Sequence, residues 1–336
     1  LPDIFLMQDN AFQKNVNTFP NIFVDLTDSG IDFSEFAEAK VRYSVVDDKN
    51  FGVPFDNGTV VFALRTDFLE EADQTVEDYT DITWDEFKEL SQEYLEITGK
   101  PMLSMTANSD LINIMLTSTG VSFFDEDDNP NIAGNEALKE VLEVHADLVE
   151  MGVLQMVNDW DQYVGTFTSG NVGGTINGCW ILASVQTAED QAGNWAVTNI
   201  PRFDIEGSTN YSNNGGSSWA VSTNCDNPEL AIDFLGKTFA GSKEFYETIL
   251  PTSGAMATWL PMADSDVYAE PQEFFGGQAI YQDLTNFADE VPPINPGTYY
   301  YEAVDFVSSA LQNVLNGSDI DTELEAAQGQ VEHLMQ

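Results

Sequence analysis

The chain has 336 residues, 43 % hydrophobic and 12 % aromatic, which suits about two globular domains with real cores and excludes a disordered chain. Its 57 acidic residues face only 11 lysines and arginines, for a formal charge of −46. Such a field repels nucleic acid and anionic lipid and leaves little to hold phosphate-rich ligands. Most of the acids fall singly between apolar residues, the pattern of a solvated surface; a halophilic source gives the same balance.

Leu1-Pro2-Asp3-Ile4-Phe5-Leu6-Met7 opens abruptly, without a signal segment, and reads as a buried strand already under way. Part of the N-terminus is therefore expected to lie upstream. The strand ends at Gln8-Asp9-Asn10. Phe51-Gly52-Val53-Pro54-Phe55 leads through Asp56-Asn57-Gly58 into Thr59-Val60-Val61-Phe62-Ala63-Leu64, an apolar run expected to be a buried strand. Thr83-Trp84-Asp85-Glu86 is a capping box opening a helix whose apolar face is Trp84, Phe87, Leu90, Tyr94 and Leu95. That helix stops near Gly99-Lys100-Pro101, and Met102 to Met105 reads as a short strand.

Asn135 to Met151 is an amphipathic helix, with Leu138, Val141, Leu142, His145, Leu148 and Val149 on one stripe and Gly152 as its C-terminal stop. His145 on that stripe is expected to be packed rather than to bind a ligand. Trp160 to Phe167 is helix-like, and a short strand follows through Gly173-Gly174-Thr175-Ile176 into Asn177-Gly178-Cys179-Trp180. Asn227-Pro228-Glu229 caps a further helix with Leu230, Ile232, Phe234 and Leu235 as its apolar set. Two helices, Tyr301 to Leu315 and Ile320 to Met335, close the chain around Asn316-Gly317-Ser318. Strands alternating with helices imply an α/β protein. No linker separates two domains, so the chain is expected to cross between them more than once.

The motifs of common enzymes are absent: no GxSxG, P-loop, GxGxxG or HExxH. Two histidines, His145 and His333, make a histidine-based triad or metal site a poor expectation. Cys179 and Cys225 allow one disulfide without requiring it, and no zinc spacing is present. Asp125-Glu126-Asp127-Asp128-Asn129 resembles the start of a calcium loop, but Pro130 stands where the turn wants glycine. An acidic surface turn is the expectation there, and no metal or cofactor is expected anywhere.

Asn177-Gly178-Cys179-Trp180 carries the clearest chemistry. A strand runs into a glycine turn and delivers an indole at the start of the next helix. An indole offers a flat apolar face and one N–H donor, which suits the face of a ring-shaped polar ligand. Trp84 and Trp195 are expected in the core, while Trp259 fits either role.

Several segments in order resemble the bacterial extracellular solute-binding proteins of ABC importers, in the sugar-binding group that includes maltose-binding protein. They are Pro2-Asp3-Ile4 with Gln8-Asp9, Phe51-Gly52-Val53-Pro54, Thr66-Asp67-Phe68, Thr83-Trp84-Asp85-Glu86, and Phe167-Thr168-Ser169-Gly170 running to Asn177-Gly178-Cys179-Trp180. Gly215-Gly216-Ser217-Ser218-Trp219-Ala220-Val221, Asn227-Pro228-Glu229-Leu230-Ala231 and Val314-Leu315-Asn316-Gly317 complete the series. The resemblance spans nearly the whole chain. It implies an α/β, two-lobe periplasmic-binding-protein-like fold, with a ligand cleft between lobes and several hinge crossings. Lobe 1 would comprise 1–58 and 204–273, and lobe 2 would comprise 59–203 and 274–336. The crossings would fall near Asp56 to Val60, Pro201 to Asp204 and Phe274 to Gln278. Lobe 1 would be incomplete at its N-terminus, where the family carries a further strand–helix–strand and its lipoprotein cysteine or signal peptide.

The resemblance also implies site residues. Trp180 matches a sugar-stacking position, Trp160 an aromatic facing the cleft, and Asp9 a carboxylate that binds hydroxyls. Asp56 and Asn57 fall at the first crossing, Asn108 and Asp110 after a strand end, and Asn214 and Trp219 beside the glycine loop. Tyr300 or Tyr301 occupies the region of another stacking aromatic, and Gln278 is added at the last crossing. The implied function is a carbohydrate receptor, extracellular and lipid-tethered or periplasmic, monomeric, that closes on an oligosaccharide and delivers it to an ABC permease. The alternative is a glycoside hydrolase using a carboxylate pair.

Overall fold

The computed structural model of the protein describes residues 1–106 and 110–336. Strand β1 (Ile4–Gln8), helix α1 (Phe12–Thr18), helix α2 (Glu38–Tyr43) and the two-residue strands β2 (Val45–Val46) and β3 (Lys49–Asn50) open the chain. The long strand β4 (Val53–Arg65) leads into α3 (Thr66–Glu71) and α4 (Trp84–Thr98). Next come β5 (Leu103–Thr106), α5 (Asp110–Ser118), α6 (Glu136–Glu150), β6 (Leu154–Val157) and α7 (Trp160–Thr168). Strand β7 (Gly174–Gly178), helix α8 (Ile181–Val185), β8 (Trp195–Thr198) and β9 (Asn213–Val221) follow. The last helices are α9 (Pro228–Lys237), α10 (Lys243–Ser253), α11 (Ile280–Asp289), α12 (Tyr300–Leu315) and α13 (Ile320–Leu334).

Strand β4 is shared by the two halves of the molecule. Its first part, Val53 to Thr59, pairs antiparallel with β9, and β9 pairs in turn with β1. Its second part pairs antiparallel with β7 over Val60 to Leu64 and with β8 over Phe62 to Arg65. Strands β5 and β6 form a separate parallel pair. Val60 to Leu64 is fully buried on both faces, which is why it reads as an unbroken apolar run rather than an alternating one. Strand β9 thus pairs with the part of β4 that β7 and β8 leave free.

Local signals and packing agree in most elements. Thr83 and Glu86 exchange both bonds of the capping box, and α4 ends on Gly99 at φ 70°. Asn135 caps α6 through the Leu138 N–H at 3.0 Å. His145 is buried on α6, and burial pushes its imidazole down to about 4. Trp84 and Trp195 are core residues, and Trp259 is buried with its Nε1 donating to Glu35 at 3.2 Å.

Two expectations change, and the open question of the cysteines is answered. Strand β1 lies at the edge of its sheet with Leu6 exposed, so it is half-covered rather than buried. On α9, Leu230 and Phe234 are 62 % and 49 % exposed; Ala231 and Leu235 are the residues it buries. Cys179 and Cys225 are both free thiols. The Asp125 turn is held by its own backbone, with the Asp127 and Asn129 N–H groups donating to Asp125 Oδ1 at 2.9 Å.

Candidate functional site

A cavity of about 530 Å³ opens where β4 and β9 pass between the lobes. Strand β4 contributes Asp56, and β9 contributes Asn214, Gly215, Gly216 and Ser217. The first turn of α5 adds Asp110 and Asn113, one face of the helix at i, i+3 spacing. Tyr300, Tyr301, Val304 and Asp305 project from one face of α12, and Gln8 and Asn10 come from the end of β1 and the turn after it. Trp180 completes the lining.

Trp180 is held from three sides. Its Nε1–H donates to the Asn214 carbonyl at 3.2 Å. Trp160 packs against it with ring centroids 5.7 Å apart and planes tilted by 40°. Gly178 lets the indole lie against the end of β7: a Cβ there would collide with Trp180 Nε1 and stand 2.9 Å from the Asn214 oxygen. Behind the ring, Asn177 is fully buried. Its Oδ1 accepts from Asn214 Nδ2 at 2.8 Å and from the Gly178 N–H at 2.9 Å, and its Nδ2 donates to the Tyr163 hydroxyl at 3.3 Å.

The polar wall is acidic. Burial pushes the Asp110 carboxyl above the usual range, and hydrogen bonds from Asn214 and Asn177 act against that rise. Burial also raises Asp56; the Lys40 ammonium lowers it and the Asp9 carboxylate raises it again. Asp56 Oδ1 is buried without a hydrogen-bond partner. With Asp305, three carboxylates line the cleft, and no lysine, arginine or histidine does so among the described residues.

Both tyrosines reach the cavity. Tyr300 is nearly buried, packed on Phe123 at 6.2 Å and edge-on to Tyr301 at 5.2 Å. The Tyr301 hydroxyl donates to Gln8 Oε1 at 2.6 Å, tying α12 to the end of β1. A second tie, the Lys14–Glu302 ion pair, joins α1 to α12 nearby.

Other expected site residues lie elsewhere. Asp9 is 2 % exposed and off the lining: Oδ2 pairs with Lys40 Nζ at 2.9 Å and Oδ1 accepts from Ser218 Oγ at 2.8 Å. Trp219 packs between Phe55 and Phe239, at 5.6 and 5.1 Å, away from the cavity. Gln278 is spent on the β8 edge, accepting from the Val197 N–H and donating to the Val197 carbonyl, both at 2.8 Å. Asn57 accepts from Asn213 Nδ2 at 3.2 Å and opens, with Asn213, onto a smaller cavity of about 130 Å³ bounded by Tyr43 and Val291 to Pro296. Neighbouring strand residues point to opposite faces, so Asp56 and Asn57 serve different cavities, as do Asn214 and Asn213. Trp160, 43 % exposed, supports Trp180 from the rim. Asn108 lies outside the described residues.

The geometry left Gln8, Asn10, Asn113, Ser217, Val304 and Asp305 to be found. Asn113, Val304 and Asp305 could have been read by helical spacing from Asp110, Tyr300 and Tyr301. The others arrive from separate segments and carry no local signal.

A cleft between two α/β lobes, floored by the crossing strands and walled by aromatics, amides and carboxylates, defines a solute-binding protein. Residues 1–276 match the family model described as bacterial extracellular solute-binding protein, and the chain belongs to that family. It is 39 % identical over 331 residues to the lactose-binding protein of Rhizobium radiobacter, across 98 % of this chain and 78 % of that one. It is 26 % identical over 351 residues to the arabinooligosaccharide-binding protein of Halalkalibacterium halodurans, across 100 % of this chain and 77 % of that one. Among solved structures, the ABC transporter associated binding protein of B. animalis subsp. lactis, in complex with β-1,6-galactobiose, matches with a TM-score of 0.83. The identity there is 18 %, over 98 % of this chain and 84 % of that one. The chain is a two-lobe receptor, not an enzyme.

Proposed function

We propose that the protein binds a short neutral oligosaccharide, with lactose-type galactosides as the first candidates, and hands it to an ABC permease when the lobes close. The observation that carries this reading is the pairing of a fixed indole, Trp180, with ionisable and amide acceptors in one cleft. Sugar rings offer apolar C–H faces to aromatics and hydroxyls to carboxylates and amides. An acidic lining without cations suits uncharged sugars better than acidic ones. The relative at 39 % identity is a lactose-binding protein, which supports galactosides.

In this reading Trp180 is the stacking platform and Tyr300 and Tyr301 are further aromatics of the same wall. Asp56, Asp110, Asn113 and Asn214 take hydroxyls. Segments 1–58 and 204–273 form lobe 1 and 59–203 with 274–336 form lobe 2. The protein works as a monomer outside the cytoplasmic membrane, lipid-tethered or free in the periplasm. A glycosidase would also place carboxylates beside aromatics, but the family and the relatives named above favour binding alone.

The test is a panel of lactose, β-1,6-galactobiose, arabinooligosaccharides and maltose, followed by calorimetry and by product analysis. Saturable binding with the sugar recovered intact is expected. Release of shorter sugars, or no binding by any member of the panel, overturns the proposal.

A further inference from the structure

We propose that Lys40 is a positioning residue of the cleft: anchored by Asp9 directly beneath Gly216, it fixes the glycine floor and serves as the counter-charge of Asp56. This rests on the sugar-binding reading for its consequence, but not for its geometry.

The chain has 11 lysines and arginines against 57 acids, yet Lys40 is buried at 5 % exposure, as is Arg65 at 6 %. Desolvating an ammonium is costly unless partners are fixed around it. Lys40 Nζ has them: Asp9 Oδ2 at 2.9 Å and the Gly215 carbonyl at 3.1 Å. Burial pushes the ammonium down, but Asp9, with Tyr43 and Asp56, pushes it further up, so it stays charged. Asp9 in turn is buried, with one oxygen on Lys40 and the other on Ser218, and it does not line the cleft.

Gly216 makes the arrangement work. It sits at φ +98°, and a Cβ there would strike Lys40 Nζ and lie 2.9 Å from Asp9 Oδ2 and 3.0 Å from the Asp56 carbonyl. A bare peptide is all that separates the ammonium from the cleft. Lys40 comes from α2, Asp9 from the turn after β1, Gly215 and Gly216 from β9, and Asp56 from β4, so four segments converge under one floor.

Asp56 feels the two charges with opposite signs: Lys40 lowers its carboxyl and Asp9 raises it. The Ser217 backbone hydrogen-bonds it and also favours the charged form. The other ionisable groups that face it are Cys179, held up at about 12, and Tyr246, raised further still, both by burial, so neither titrates in the acid range. Tyr43, beside Lys40, is likewise raised.

The experiment follows the Asp56 side-chain carbon by NMR through an acid titration of the sugar-free full chain. The signal is assigned by its loss in Asp56→Asn, and the titration is repeated in Lys40→Met and Asp9→Asn. The expected midpoint moves up in Lys40→Met and down in Asp9→Asn, each by about one pH unit. A merely structural role lowers the melting temperature of both variants without opposite shifts, and that result overturns the proposal. If Lys40→Met does not fold, Lys40→Gln decides in its place: an upward shift supports the role and no shift refutes it. In parallel, Lys40→Met weakens lactose binding about tenfold and Lys40→Arg recovers part of it. Failure of the unmodified chain to bind any sugar would remove the sugar reading while the titration still judged Lys40.

Discussion

Replacing Trp180 with alanine separates the ligand-facing part of the indole from the part that serves the fold. The bond from Nε1 to the Asn214 carbonyl, at 3.2 Å, and the contact with Trp160, at 5.7 Å, exist with or without ligand. Their loss costs stability, about 0.5–1.5 kcal/mol for a neutral hydrogen bond and a similar amount for the aromatic pair. Affinity loses the stack on the sugar, about 1 kcal/mol. It also loses some placement of Asn214, whose amide donates to Asn177 at 2.8 Å and hydrogen-bonds Asp110. Together these give about 1–2 kcal/mol, a rise in Kd of roughly 5- to 30-fold. Calorimetry with lactose reads the affinity and a thermal melt reads the stability. Trp160→Ala, behind the platform, should change Kd less than about threefold, and Trp180→Phe should keep most of the affinity. An unchanged Kd for Trp180→Ala with the fold intact refutes the platform; a larger loss from Trp160→Ala shows that the wrong indole was chosen.

Sugar binding should weaken in mild acid: Asp56 and Asp110 are both raised by burial, so full binding lies above their raised pKa values and is lost as pH falls through them. Calorimetry from about pH 7 to about pH 4 checks this, and a flat profile contradicts it. His145 acts on the fold instead: its pKa, depressed from 6.5 to about 4, leaves its stabilisation complete above the unfolded value and eroding as pH falls toward the folded one. The limit is on the order of 3 kcal/mol, and His145→Leu should flatten melting temperature across that window. Gly216→Ala should lower the melting temperature and weaken lactose binding together, because its Cβ displaces Lys40 from the Asp9 pair; the cost is about 3 kcal/mol, and an unchanged melt would show that the floor can yield.

What the sequence made legible follows from which interactions are local. The α4 capping box, the α6 stripe and the glycine turn before Trp180 are written in neighbouring residues, and each forms as expected. Helix α5 left no such trace, because Leu111 to Ser118 is buried all round and shows no polar face. Asp9 illustrates the limit more sharply. Its partners Lys40 and Ser218 stand 31 and 209 positions away, so a lone carboxylate beside a strand end looked free when both oxygens were already taken. The Tyr299-Tyr300-Tyr301 cluster was ambiguous in register until α12 placed Tyr300, Tyr301, Val304 and Asp305 toward one cavity.

The residues proposed to bind the sugar also lie on the strands that the two halves share. Asp56 and Asn214 to Ser217 belong to the two shared strands, so the floor of the cleft is the crossing itself. Trp180, Asp110 and the α12 tyrosines form one wall, and Gln8 and Asn10 form the other. Tyr301 to Gln8 and Lys14 to Glu302 join those walls beside the cavity, and Lys14 also lies over the Tyr299 ring at 5.3 Å. A ligand shifts a conformational equilibrium only by the difference in its contacts with the two states. A sugar stacked on Trp180 alone would bind open and closed forms alike. One long enough to reach Gln8 and Asn10 as well gains contacts only on closure. Closure therefore selects for a ligand that reaches both walls at once.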